Sequence, residues 1–336
     1  MSLMIQPAEL KTTRPMELHG GVVSTTTDVW AMLAASVEGD LARVKELVQG
    51  CPALLTCQYD YTAPLHLAVR EGHADVVRYL IEQGALDPAY KNHPFRESLV
   101  TLAEDREYRE IANLLEDSLN NPQLTRDLGD APAKIDRGRD ETQQRFQELV
   151  DQGAHGEVEA LLKEHPELAH DEDAFWGEGI LMMPAKKGDS QMLELLMRYG
   201  ARVPDVSKWG ARYYFKHYVI AAFLLDHGMN PNHMNWRRFT LLHDMAFTGD
   251  VAKASLLLDH GADINAIDDE YSSTALGYAA HWGKRDMVAL LIERRADPNA
   301  AGAPWATPLA WARKRGHADI ENDLRRAGAN DKETSL

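Results

Sequence analysis

The chain has 336 residues, long enough for one extended repeat array or two shorter ones. Thirty-six basic against 52 acidic residues leave a net charge of −16, which disfavours non-specific binding to nucleic acid or to an anionic membrane. Its two cysteines, Cys51 and Cys57, lack the spacing of a metal site or a disulfide framework, so a reducing, cytoplasmic setting is expected.

In chain order, residues 1–26 read as a polar tail without the apolar core of a secretory signal. A first helical unit follows, with Trp30, Met32 and Leu33, then Gly39-Asp40, then Val44, Leu47 and Val48. The second unit carries Ala63-Pro64-Leu65-His66-Leu67-Ala68 and Gly72-His73, and its Gly72 takes the place that Gly39 holds in the first. A weaker unit at 98–116 keeps Ala103, Ile111, Leu114 and Leu115 but has Glu107 where the glycine should stand. Together 27–118 form an N-terminal array.

The pattern breaks at 119–142. Asn120-Asn121-Pro122, Gly129, Pro132 and the charged run at 136–140 predict an exposed linker or insertion. A second array is expected over 143–330, with a tail at 331–336. Its first unit ends in Leu161-Leu162-Lys163-Glu164-His165-Pro166-Glu167-Leu168, which parallels 47–54 of the first array. Two separate arrays and one continuous superhelix both fit this break. The apolar run 218–225 is far too short to cross a bilayer, so no membrane insertion is expected. The interval from Gly200 to Gly228 falls short of the usual repeat, so the first helix of that unit must be short.

Three further units begin Thr240-Leu241-Leu242-His243, Thr274-Ala275-Leu276-Gly277 and Thr307-Pro308-Leu309-Ala310. Their glycines, Gly249, Gly283 and Gly316, recur with a period of about 33 residues. Each position has a physical role. The threonine caps a helix, proline suits the first helical position, and glycine ends the helix in a left-handed conformation. This period and opening resemble the ankyrin-repeat family. The resemblance implies an all-α solenoid of about nine units, some degenerate, with hairpin-like fingers. It also implies protein recognition through the concave face. His66 and His243 match the family histidine that hydrogen-bonds between neighbouring repeats.

The expected function is therefore non-enzymatic binding of another protein, with no cofactor, no metal and no nucleic acid. The alternative is a substrate-recognition or regulatory subunit of a larger enzyme complex. The sequence carries no nucleotide-binding or hydrolase motif. His165, His170, Asp171, Glu172 and Asp173 lie close together, but a solvated loop explains them more simply than a metal site. Intrinsic catalysis in the degraded stretch 171–218 would require a pocket holding a perturbed acid–base pair. Aromatic residues recur near the fingers. Trp176, Trp209, Trp236, Tyr271 and Trp305 are expected at the tips, bordered by Arg237 and Arg238, with Phe247, Tyr278 and Trp311 behind them. Read as a partner site, these rings form a strip of anchors. The competing reading makes them struts that pack finger against finger.

Overall fold

A computed structural model describes residues 4–129 and 133–331. The chain divides into two compact units, residues 1–137 and 138–336. The described residues carry nine helix pairs, each an inner helix followed by an outer one.

The first unit holds three pairs: α1 (Thr26–Glu38) with α2 (Leu41–Gly50), α3 (Pro64–Glu71) with α4 (Ala74–Glu82), and α5 (Leu99–Asp105) with α6 (Arg109–Leu119). The second holds six: α7 (Glu141–Gln152) with α8 (His155–Glu164), α9 (Met182–Lys187) with α10 (Ser190–Arg198), α11 (Gly210–Tyr213) with α12 (Tyr218–Asp226), α13 (Leu241–Thr248) with α14 (Val251–Asp259), α15 (Ala275–His281) with α16 (Arg285–Glu293), and α17 (Pro308–Lys314) with α18 (Ala318–Arg326).

The expected local chemistry sets the helix ends. Thr240, Thr274 and Thr307 accept from the backbone N–H three residues on, and Pro308 opens its helix. Gly249, Gly283 and Gly316 take φ of 85°, 66° and 74°. In the third unit Glu107 itself adopts φ 63°, a left-handed strain that a glycine would have spared. Val76, Val77 and Leu80 of α4 and Leu257 of α14 show the rule for outer helices: the apolar stripe is buried against the inner layer.

Two hydrogen-bond ladders run between successive pairs at the repeat spacing. Asn232 accepts from Asp263 N–H at 2.7 Å, Asn265 from Asp297 N–H at 2.9 Å, and Asn299 from Asn330 N–H at 3.0 Å. Histidines that follow helix-ending glycines or precede outer helices bond back to the previous pair: His73 to Val37 O, His217 to Lys186 O, and His317 to His281 O. One unit cannot bury its apolar face alone, and these polar rungs fix the register in which units stack.

One sequence expectation needs correction. The polar tail at 1–26 is structured over its described part. Residues Ala8–Lys11 form a helical turn, and β1 (Pro15–Glu17) pairs antiparallel with both β2 (Val23–Thr25) and β3 (Lys134–Ile135). Leu10, Met16 and Leu18 are buried, and Glu9 accepts from Tyr59 Oη at 2.9 Å and from Arg137. Alternation of apolar and polar residues over so short a stretch gives too weak a signal to read as strand. The segment 119–142, expected as an exposed linker or insertion, has no buried residue among those described, and it is anchored by hydrogen bonds. Arg126 N–H donates to Leu86 O, Leu128 N–H to Asp87, and β3 completes the small sheet. Its charged run stays exposed or half-buried and still finds partners: Arg137 pairs with Glu9 and Arg139 with Asp171, while Asp140 caps α7. Residues Asp130, Ala131 and Pro132, and all of the expected 331–336 tail except Asp331, lie outside the described residues. The parallel between 47–54 and 161–168 reappears in the backbone, where Pro52–Thr56 and Pro166–His170 form matching 3-10 turns.

Candidate partner-binding surface

The fingers before α13 and α15 are built around buried polar groups. In the finger before α13, the Asn235 carboxamide accepts from Arg237 N–H at 2.9 Å and Phe239 N–H at 3.2 Å. In the next, buried Asp268 accepts at one oxygen from the N–H groups of Glu270 and Tyr271 and from Tyr278 Oη at 2.6 Å. Its other oxygen accepts from Ser273 N–H. The two fingers are tied by Arg237 and Glu270, 3.1 Å apart with both side chains almost wholly buried. Such a pair holds register more than it adds net stability, because desolvating both ions offsets much of their attraction. His243 completes the lock. Thr240 N–H donates to Nδ1, so the ring is neutral and Nε2–H donates to Ser273 O of the next finger at 3.1 Å. Burial lowers the His243 pKa, which favours that neutral form.

Around these groups the rings close on each other. Tyr271 meets Tyr278, His281, Trp282 and Trp311 edge-on at 5.2 to 5.8 Å, and Trp282 stacks on His281 at 3.8 Å. Phe247 meets Trp282 at 4.9 Å and Trp305 meets Trp311 at 5.8 Å, both edge-on. Trp236, Tyr271 and Trp311 have 0 % exposure, Tyr278 has 1 % and Arg237 3 %. The expectation of an exposed strip is therefore corrected at five positions. Trp236, Arg237, Tyr271, Tyr278 and Trp311 cannot touch a partner in this conformation, because neighbouring fingers supply the cover that an isolated turn lacks. Phe247, Trp305 and Arg238 are half-buried.

Trp176 and Trp209 stand elsewhere, on consecutive fingers at the irregular middle of the second unit. Trp176 is 59 % exposed. Phe175 and Trp176 both adopt left-handed backbone, with φ 48° and 66°, which turns Phe175 inward and Trp176 out. Each such residue costs about 1–3 kcal/mol, so its neighbours must hold it. Gln147 accepts from Phe175 N–H at 2.9 Å, and Lys208 Nζ donates to Trp176 O at 2.5 Å. Buried Glu178 accepts from Lys208 N–H and Trp209 N–H, which fixes the second finger against the first. The Arg212 guanidinium lies over the half-buried Trp209 ring at 5.2 Å.

The titratable groups beneath these fingers are engaged by backbone. Tyr214 Oη donates to Glu178 O, and burial raises its pKa. His233 Nδ1–H donates to Pro204 O at 2.7 Å while Nε2 accepts from Ser207 Oγ at 2.8 Å. Burial pushes the His233 pKa down to about 4. In the stretch weighed for metal, Asp171 is taken by Arg139 and His165 by Glu167 at 3.1 Å. Among the described residues no helix is long and apolar enough to cross a membrane.

The family profile described as "Ankyrin repeats (3 copies)" matches residues 31–125 and 209–302, more than half of the chain. This chain belongs to the ankyrin-repeat family. It is similar to "Palmitoyltransferase AKR1" of Lachancea kluyveri, 31 % identical over 36 % of this chain and 17 % of that protein. It is similar to human "Ankyrin repeat domain-containing protein 63", 40 % identical over 19 % of this chain and 17 % of the relative. The mouse "2-5A-dependent ribonuclease" is 41 % identical over 18 % of this chain and 8 % of its own length. The chain thus spans less than a fifth of each of these relatives.

In ankyrin terms, the fingers of α13, α15 and α17 are ordinary and the unit of α11 is not. Its inner helix has four residues where α13 has eight. Between α9, α11 and α13 lies an open groove whose charged lining is Lys186, Arg212, Lys216, Asp244, Asp250 and Lys253. None of these six stood out as a site residue in the sequence, although the shortened interval from Gly200 to Gly228 marks the spot. Also unforeseen, Tyr218 and Val219 at the start of α12 are exposed.

Proposed function

We propose that this ankyrin-repeat protein is a non-enzymatic recognition module that binds another protein through the inner-helix and finger side of its second unit. The observation that carries the reading is Trp176, a finger indole left 59 % exposed. A large apolar ring held in solvent fits a contact surface better than a core. Trp209 and Arg212 continue from it, whereas Trp236, Arg237, Tyr271, Tyr278 and Trp311 serve as the stiff backing. Arg238, Phe247 and Trp305 remain candidates for the rim. The non-enzymatic reading is supported by Tyr214 and His233, whose polar atoms are spent on Glu178, Pro204 and Ser207. The reading sets the chain in the cytoplasm, where Cys51 and Cys57 stay as the free thiols they are here.

The partial matches to a palmitoyltransferase and a ribonuclease favour a second reading, in which the module recognises substrates for, or regulates, an enzyme partner. Co-purification of a catalytic polypeptide separates the two. The test of both is capture of partners from the native cell by the wild-type chain and by a Trp176→Ala/Trp209→Ala variant. Recovery of a specific partner should fall about tenfold or more in the variant, a loss of roughly 1.4 kcal/mol per decade. Equal recovery by both chains would refute this placement of the surface.

A further inference from the structure

Resting on that reading, we infer that the groove between α9, α11 and α13 takes an extended acidic segment of the partner protein. The groove exists because the repeat is short. The four residues of α11 leave a hollow where a full inner helix would pack between α9 and α13. The groove lies open to solvent rather than enclosed, which leaves room for a stretch of chain to run through it.

The charge in the groove runs against that of the molecule. Within a chain of net charge −16, Lys186, Arg212, Lys216 and Lys253 converge here. Lys253 is neutralised by Asp250 at 2.8 Å. The other three have no carboxylate within ion-pair distance among the described residues. Lys186 Nζ lies 5.4 Å over the Tyr213 ring, Arg212 lies over Trp209, and Lys216 Nζ reaches Lys186 O at 3.3 Å. Each cation is oriented by a ring or a carbonyl and keeps donors for a ligand. Like charges that outnumber their counter-ions repel, and an acidic ligand relieves that repulsion where a basic one would add to it. Carboxylate-bearing side chains two residues apart on an extended strand face the same side, which matches a row of separate cations. Two carboxylates oppose them: Asp250, which pairs with Lys253, and Asp244. Asp244 lies in the field of Arg212 and Lys253, and burial pushes its carboxyl up to about 6.

The test uses the whole chain and fluorescence anisotropy with labelled octaglutamate, octalysine and an eight-residue oligothymidylate. Octaglutamate should bind, octalysine should not, and added salt should weaken binding. Arg212→Glu/Lys216→Glu should raise the octaglutamate Kd about tenfold or more, since both side chains are exposed and the fold should be untouched. Lys186→Gln should raise it by a smaller factor. Asp244→Asn should lower it about twofold to fivefold. No octaglutamate binding at about 1 mM would overturn the inference, as would equal affinity in the reversed variant. Tighter binding of the oligothymidylate would overturn it in favour of a phosphate polymer. A cellular partner that is lost on Trp176→Ala/Trp209→Ala but kept on Arg212→Glu/Lys216→Glu would sink the groove and leave the recognition reading standing.

Discussion

Replacing Trp236 by alanine separates a structural finger from a binding finger. Read from the sequence, a tryptophan four residues before a helix cap is a solvated tip, and its removal should leave melting unchanged. In the structure the ring is fully buried, with the Arg237 guanidinium 5.7 Å from its centre. A buried tryptophan removes about 150–250 Å² from water. At about 25 cal/mol per Å² that is roughly 4–6 kcal/mol, an upper estimate because unfolded chains are not fully extended. Cavity-forming substitutions of this type cost about 3–5 kcal/mol, and we expect that range for Trp236→Ala. Trp176→Ala, at an exposed ring, should stay within about 0.5 kcal/mol. Urea unfolding followed by far-UV circular dichroism avoids the lost fluorophore. With an m-value of about 2–3 kcal/mol/M, Trp236→Ala should lower the midpoint of the second unit by about 1–2 M. Because repeats touch only their neighbours, hydrogen exchange should rise first in α11 to α16. An unmoved midpoint in Trp236→Ala would refute the assignment of this ring to the core. So would a loss of comparable size in Trp176→Ala.

Asp268→Ala strips four donors of their acceptor, three backbone N–H groups and Tyr278 Oη, and should cost about 3 kcal/mol or more by thermal melting. Gly283→Val combines a φ of 66° with a new Cβ 2.8 Å from the His317 ring, whereas Gly316 at φ 74° has nothing within 4 Å. Gly283→Val should therefore destabilise more than Gly316→Val, which isolates backbone strain of about 1–3 kcal/mol; equal melting temperatures would argue against the His317 contact. For His233, the folded pKa of about 4 lies below the ordinary histidine value of 6.5. The unfolded state binds the proton first on acidification, so stability is full above about pH 6.5 and falls towards pH 4, by about 3 kcal/mol. His233→Asn should flatten the urea midpoint between pH 7 and pH 4.5, and an undiminished slope would remove His233 as its source.

The repeat was legible because every unit solves the same local problem with the same residues. Thr240, Thr274 and Thr307 cap, Gly249, Gly283 and Gly316 terminate, and those acts depend on a few adjacent residues. The burial of Trp236 and Tyr271 was not legible. Whether a finger ring is wet depends on the finger of the next repeat, and a turn sequence says nothing of its neighbour. Asp268 could have given warning. An acidic residue three before Tyr271, taking the N–H groups of Glu270, Tyr271 and Ser273, is the mark of a buried turn rather than a solvated one. The strand Pro15–Glu17 was hidden for another reason: its partner Lys134–Ile135 lies far along the chain, beyond three helix pairs. The groove was legible only as a deficit, the short interval between Gly200 and Gly228. Its cations look like ordinary surface lysines and arginines until the truncated helix brings them together.

Rigid and irregular repeats divide the work within the second unit. From Asn232 to Asn330 each finger is tied to the next by an asparagine rung, and the fingers of α13 and α15 are also joined by the buried Arg237–Glu270 pair. Such a stack has little freedom left to lose when a partner docks, and pre-organisation of this kind favours affinity by lowering the ordering cost of binding. On the N-terminal side of that stack lie the four-residue α11 and three cations without an ion-pair partner among the described residues. There Tyr214 and Phe215 stay buried, while Tyr218 and Val219 at the start of α12 are exposed. A shortened repeat that opens a charged groove against the stiffest part of the array suits the proposed recognition surface, because the backing cannot yield when a partner presses on it.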